Sequence, residues 1–224
     1  MHLRTDSHPQ QPALDIELTG KILRDVSAGE SEPAVRVFTP GPTAAFGRQD
    51  SLKPGYGDAC QAALELGYTP VVRHAGGHAV VYDQGSVIVE VIRSKADLQS
   101  TLEGRYQDLA QLIQTALAGL GIEVLLGELH QEYCPGRFSL HLPNGPKVAG
   151  IAQRVTRGSS LTTAVVTVAA SNSHRETTAR IYSALGLQLD PDTVGSLASR
   201  HPAISQPLVM AAISSQAMTR YGVN

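Results

Sequence analysis

The sequence predicts an α+β fold with a mixed, largely antiparallel sheet flanked by helices. Three observations carry this. Strand-like runs come in pairs joined by short turns, as in "AVVYDQGSVIVEVI" (79–92) and "RFSLHLPNGPKVAGIAQRV" (137–155). Helical patterns fall between and after these pairs, and from residue 173 onward they dominate. Strands and helices do not alternate one for one, as a doubly wound parallel sheet requires.

In chain order, residues 1–13 are polar and Pro/Gln-rich and are expected to be flexible, leaving 14–224 as one domain with a helical C-terminal part over about 173–222. "PAVRVFTPGPTAAFG" (33–47) reads as strand, Pro/Gly turn and strand. "GYGDACQAALELGY" (55–68) reads as a helix with Asp58 as N-cap and Gly67 as its stop. "TPVVR" (69–73) is a strand leading to the Gly-rich "HAGGH". The hairpin 79–92 turns at Asp83–Gly85, and its second arm is apolar apart from Glu90, which places it inside a sheet. Leu109, Leu112, Ile113, Ala116, Leu117 and Leu120 recur at spacings of three and four, predicting a helix over 105–120 ended by Gly119 and Gly121. "IEVLLG" (122–127) and "LTTAVVTVA" (161–169) are strands. "HRETTARIYSALGL", "DPDTVGSLAS" and "SQPLVMAAISSQAMTRYG" supply the closing helices, Pro207 suiting a first turn.

Composition limits the function classes. Of the 224 residues, 42% are hydrophobic and 17% charged, with a net charge of −2 and no basic run, which argues against nucleic acid as a partner. No apolar stretch is long enough to span a membrane, and the N-terminus has no signal-peptide core. Two cysteines, Cys60 and Cys134, make no disulfide framework, so a reduced, cytoplasmic protein is expected.

Two candidate groups stand near each other in sequence. Cys134, in "EYCPG", precedes Pro and Gly and so sits in a loop; an unpaired loop thiol is a candidate nucleophile if something accepts its proton or holds its thiolate. Cys60 lies within a helix and packs. Lys147 falls just past the turn at Asn144–Gly145. Simple alternation puts Lys147, Ala149, Ile151 and Gln153 on one face and Val148, Gly150 and Ala152 on the other. A lysine among small apolar residues can stabilise charge developing on a substrate oxygen; a solvated strand-end lysine is the alternative. On a regular ladder Cys134 would lie about 15 Å from Lys147. The two meet only if the "YCPG" loop leaves the ladder and folds back.

In "VVRHAGGHAVVYDQG", Gly76 and Gly77 let backbone approach a ligand, and Arg73 can meet a carboxylate or phosphate; a plain turn with a solvated Arg73 is the alternative. The segment is neither a P-loop nor a dinucleotide fingerprint. His74 and His78 lack partners with metal-ligand spacing, so no metal is expected, and there is no nucleophile elbow around a serine.

Taken together, "VRHAGGHAVVYDQGSVIVEVI", "KVAGIAQR" and "PAVRVFTPGPTAAFGRQD" resemble, in the same order over roughly residues 15–170, the three signature segments of the lipoate–protein ligase and octanoyltransferase superfamily. That resemblance implies the biotin/lipoate-ligase catalytic fold, related to class II synthetases. The segment around Cys134 looks closest to the cysteine-dependent octanoyl-[H protein]:protein octanoyltransferases. For that branch it implies transfer of an octanoyl or lipoyl group through a Cys134 thioester to a lipoyl-domain lysine, with Lys147 holding the acyl carbonyl oxygen. Arg73, Gly76, Gly77, His78, Tyr82, Asp83, Gly85, Gly150 and Ala152 would form the substrate site. It further implies no cofactor, an acyl donor protein, and apo lipoyl domains of the glycine-cleavage H protein or 2-oxoacid dehydrogenase E2 subunits as partners. His78 departs from the pattern, standing where the ligases carry a third glycine. The last ~50 residues are too short for the accessory domain of the full-length ligases, which favours a transferase. Two other readings stay open: a ligase that makes acyl-AMP from ATP and Mg, with Cys134 incidental, and a non-catalytic acyl-binding relative.

Overall fold

Long runs of β-branched residues make the centre of the molecule. Val87, Val89 and Val91 on one strand and Ala164, Val166 and Val168 on and just past its neighbour are all buried, and alternate residues on both strands face opposite ways. The computed structural model describes residues 1–95 and 101–223. Its strands are β1 (His2–Arg4), β2 (Ala34–Phe38), β3 (Thr43–Phe46), β4 (Thr69–Val72), β5 (Val80–Tyr82), β6 (Ser86–Ser94), β7 (Leu125–Leu126), β8 (Leu140–His141), β9 (Lys147–Val155) and β10 (Ser159–Thr167). Its α-helices are α1 (Pro12–Ala28), α2 (Tyr56–Glu65), α3 (Leu102–Ala118), α4 (Asn172–Ala184) and α5 (Gln206–Tyr221).

Seven strands form one sheet in the order β1-β2-β6-β10-β9-β8-β7; three form a smaller sheet in the order β4-β3-β5. Among the named strands of the described residues, only β1 with β2 and β3 with β4 run parallel. The α+β, largely antiparallel architecture is therefore as the sequence predicts. One face of the large sheet packs on α3 and α5, burying Val35, Val37, Leu112, Ile113 and Ile213. The other face meets α1 and the small sheet, which α2 and α4 back.

Five local expectations change. The N-terminus is tied down rather than loose: His2–Arg4 extends the sheet, and the buried Arg36 guanidinium donates to Asp6 O at 2.9 Å. Helix α1 is an element the sequence reading passes over, although Ile22, Leu23 and Val26 recur at helical spacing and Gly29 ends it at φ 77. The pairs β2/β3 and β5/β6 are not hairpin ladders, because in each pair the two strands join different sheets. Helix α2 starts from Gly55, with Asp58 inside its first turn instead of at the cap. The closing helices appear where expected, except that "DPDTVGSLAS" forms two 3₁₀ turns.

Candidate active site

A buried carboxylate organises the loop between β7 and β8. Glu132 accepts from Leu129 N at 3.1 Å, Gly136 N at 3.2 Å, the Ser139 hydroxyl, and Lys147 Nζ at 2.9 Å. The side chains of Glu132 and Lys147 are both fully buried, so each needs the other: an unpaired charge there would carry a large desolvation penalty. Lys147 Nζ spends its other two donors on Tyr133 O at 2.8 Å and Cys134 O at 2.9 Å, and sits 4.5 Å from the centre of the Tyr133 ring. An ammonium has three donors, and all three are taken. Burial pulls the Lys147 pKa below the ordinary lysine value, opposed by the Glu132 charge.

These contacts bring Cys134 and Lys147 together, as the fold-back of the "YCPG" loop requires. A bulge at the start of β9 helps. His141 pairs with Lys147 and Leu140 with Ala149, so Val148 is the extra residue. Val148 and Ala149 then both face the α3 core, and Lys147 crosses to the face of Gly150. A Cβ on Gly150 would lie 3.3 Å from Lys147 Cε. The face predicted by simple alternation, with Ala149 and Ile151, is corrected accordingly.

Cys134 has φ 42, a left-handed backbone that a non-glycine residue holds only where surrounding contacts enforce it. Here they do: Lys147 holds its carbonyl, and its N–H donates to the Tyr182 hydroxyl at 2.5 Å, which itself donates to Ala79 O at 3.0 Å. The thiol lies against the "HAGGH" loop. A Cβ at Gly77 would sit 2.6 Å from Cys134 Sγ, and Gly77 has φ 88, so both space and backbone demand glycine. Arg73 Nη2 donates to Cys134 Sγ at 3.3 Å and to His78 O at 2.8 Å. Its Nε is buried with no hydrogen-bond partner among the described residues. A thiolate at Cys134 would thus face a fixed cation.

Cys134 stands where two depressions meet. The inner one is a cavity between α1, the small sheet and the large sheet, walled mainly by apolar groups such as Phe38, Val80, Ile88 and Val165. Arg73, Tyr82, Gly150 and Ala152 also line it. The outer one is a groove lined by Gly76, Gly77, Leu102, Tyr106, Pro135 and Phe138. Cys134, Ile151 and Ala152 border both.

Of the predicted site residues, Cys134, Arg73, Gly76, Gly77, Tyr82, Gly150 and Ala152 therefore converge. Lys147 lies directly beneath Cys134, but its donors are on protein oxygens. Three residues do other work. Asp83 accepts from Gly85 N at 2.8 Å and Tyr68 OH at 2.9 Å, holding the β5–β6 turn. Gly85 is needed because a Cβ there would fall 2.3 Å from Ala169 O. His78 turns away to Asp50, with Nδ1 2.7 Å from Oδ1. The sequence reading missed Glu132 and Tyr182. An acidic residue two before a cysteine has no periodic signature, and Tyr182 arrives from a helix 48 residues away. No group of three metal-ligating side chains occurs among the described residues, and no helix among them is long and apolar enough to cross a membrane.

Residues 11–213 match the family model described as "Lipoyl protein ligase A/B catalytic domain". Among curated proteins, the chain is 33% identical over 163 residues to the octanoyl-[GcvH]:protein N-octanoyltransferase of Geobacillus kaustophilus, covering 73% of this chain and 57% of that protein. It is 30% identical over 181 residues to the protein of the same name from an Exiguobacterium species, covering 76% and 64%. The chain thus spans less than two-thirds of the length of these relatives. Among solved structures, a lipoate-protein ligase A bound with ATP superposes with a TM-score of 0.76 at 17% identity, over 100% of this chain and 86% of that one. The lipoate protein ligase from Thermoplasma acidophilum, described as bi-partite, gives 0.74 at 17% identity, over 100% and 84%. At these identities the structural likeness speaks to the fold.

Proposed function

Because the chain belongs to the lipoyl protein ligase A/B catalytic-domain family, we propose that it is an acyltransferase of protein lipoylation, moving an octanoyl group through Cys134 to the lysine of a lipoyl domain. The observation that carries this reading is the position of Cys134. Its sulfur stands between an apolar cavity that can hold an acyl chain and an open groove from which a lysine can approach.

In the first half-reaction the sulfur adds to the carbonyl of an octanoyl-lysine amide on a donor protein. A C–S bond forms, the C–N bond breaks, and the donor lysine leaves with the thiol's proton. In the second half, the amine of the acceptor lysine attacks the thioester; the sulfur leaves and regains a proton. Arg73 faces the sulfur and has a buried Nε still to donate, so it is the cation best placed for the carbonyl oxygen in this conformation. Lys147 holds the loop that presents the thiol, and reaches a substrate oxygen only by releasing one of its two carbonyl partners. The names of the relatives point to GcvH as one carrier, and dehydrogenase E2 lipoyl domains fit as acceptors. No cofactor enters this scheme.

The ATP-dependent ligase reading assigns Arg73 and Lys147 to phosphate. Here Lys147 has all three donors on Glu132 and the loop, and Arg73 is turned to the Cys134 sulfur, which favours the transferase. The deciding assay is transfer from octanoyl-GcvH to an apo E2 lipoyl domain with and without ATP, with intact mass read on the enzyme. We expect ATP-independent transfer and one added octanoyl group, absent in Cys134→Ser. Strict dependence on ATP and free octanoate would establish the ligase instead. Wild-type transfer by Cys134→Ser would end the thioester scheme.

A further inference from the structure

The Gly-rich loop that turns Arg73 toward the thiol is itself gripped by the chain that follows β3. Arg73 N donates to Phe46 O at 2.9 Å. A Cβ on Gly47 would overlap Gly77 O, so the two stretches interlock with no room for a side chain. The loop is tied at Gly76, whose N–H donates to Gln153 O at 3.3 Å, and at Ala79, whose carbonyl accepts from Tyr182. Between these ties, His78 is held through its ring. Its Nδ1 lies 2.7 Å from Oδ1 of Asp50, at the start of a 3₁₀ turn over Asp50–Leu52, and Asp50 Oδ2 accepts from Gly47 N at 3.1 Å. The Asp50 side chain is wholly buried and that of His78 is 30% exposed. A buried carboxylate must find donors, so the imidazole carries its proton on Nδ1 and gives it to Asp50.

The chain of contacts continues to the sulfur. His78 O accepts from Arg73 Nη2 at 2.8 Å, and the same nitrogen reaches Cys134 Sγ at 3.3 Å. Arg73 Nε has no hydrogen-bond partner among the described residues, so these Nη2 contacts set where the guanidinium lies. Arginine is a long side chain with many rotamers, and holding it in one costs entropy. A carbonyl fixed in place offsets that cost; a carbonyl on a loose loop would not. Neither Asp50 nor His78 lines the inner cavity or the outer groove, so an effect of either on the chemistry passes through Arg73.

We propose that Asp50 and His78 are positioning residues for the nucleophile: by fixing the His78 carbonyl they hold the Arg73 guanidinium against Cys134, where it stabilises the thiolate. A glycine at position 78 could not make the ring contact. The proposal rests on the reading of Cys134 as the residue that accepts the acyl group.

Two rates measured on the intact chain test it: alkylation of Cys134 by iodoacetamide, mapped by peptide mass to separate it from Cys60, and single-turnover acylation from octanoyl-GcvH. A cation facing a thiolate raises the thiolate population by about tenfold or more, so His78→Ala should lower both rates about tenfold. The half-saturating concentration of octanoyl-GcvH should stay within about twofold, because the donor's binding surface is untouched. His78→Asn, whose side-chain nitrogen can stand in for Nδ1, should restore both rates. Arg73→Met should lower both, and adding His78→Ala to it should cost nothing further, since the two act as one unit. Unchanged alkylation in folded His78→Ala, no recovery in His78→Asn, or losses that multiply in the double variant each overturn the proposal. If His78→Ala does not fold, His78→Leu, which keeps bulk without the donor, is read in its place. Alkylation that responds as expected in a protein that gains no octanoyl group would sink the transferase reading and leave the positioning role standing.

Discussion

Cys134 holds a backbone conformation that costs energy, and the contacts that enforce it are the ones to test. Gly77→Ala puts a methyl 2.6 Å from Cys134 Sγ and 2.9 Å from Arg73 Nη2, at φ 88. The expected outcome is a loss of about 1–3 kcal/mol in urea unfolding and a collapse of thiol acylation, read by intact mass. Lys147→Met leaves the Glu132 carboxylate buried without its cation. That should cost about 3–5 kcal/mol, most of it recovered in the double variant Lys147→Met/Glu132→Gln. Transfer rates on the stable double variant then separate the two roles of Lys147. Activity that returns with stability marks it as a loop clamp; activity that stays low marks it as a donor to substrate. Cys134 and Lys147 were both legible as chemistry in the sequence because cysteine after Tyr and before Pro-Gly, and lysine before a run of small residues, are unusual local environments. Glu132 was not: its carboxylate matters only because the loop folds around it.

At the level of elements, the sequence carried turns better than partners. Asp83–Gly85 and Asn144–Gly145 are turns as the residue types demand, yet β5 and β6 leave their turn for different sheets, which no local pattern encodes. The bulge at Val148 is similarly silent in sequence, since one extra residue looks like ordinary alternation until a partner strand is aligned. Helix α4 contributes through one side chain. Tyr182→Phe removes the hydroxyl that joins Cys134 N to Ala79 O, leaving a donor and an acceptor unpaired. We expect a loss of about 1–3 kcal/mol and a slower first half-reaction, measured by single-turnover acylation, without change in the fold.

For the molecule as a whole, the ion cluster between α1 and the large sheet links stability to pH. Burial raises the Glu90 pKa above its ordinary value of 4.5, against the Arg36 charge and the Thr19 hydrogen bond. A raised native pKa means that the folded state holds a proton the unfolded chain has released. The associated stability is full below about pH 4.5 and is lost as pH rises through the native value. Melting curves from pH 4 upward should therefore show wild type losing stability relative to Glu90→Gln. Parallel curves for the two proteins would show that Glu90 titrates alike folded and unfolded.

Fold class and family were legible in the chain alone, because periodicity, turn residues and three ordered motifs are local properties. So was the presence of a thiol and a lysine thirteen residues apart. That the two meet came from the fold. The Glu132 carboxylate, brought to Lys147 by the fold, must be paired once buried, and that pairing pulls the cysteine loop across the sheet. The fold decided too that Arg73 faces the sulfur and that Glu90, an isolated acid in an apolar strand, pairs with Arg36 and with Thr19 of α1. Burial makes charges choose partners, and the partners come from distant parts of the chain.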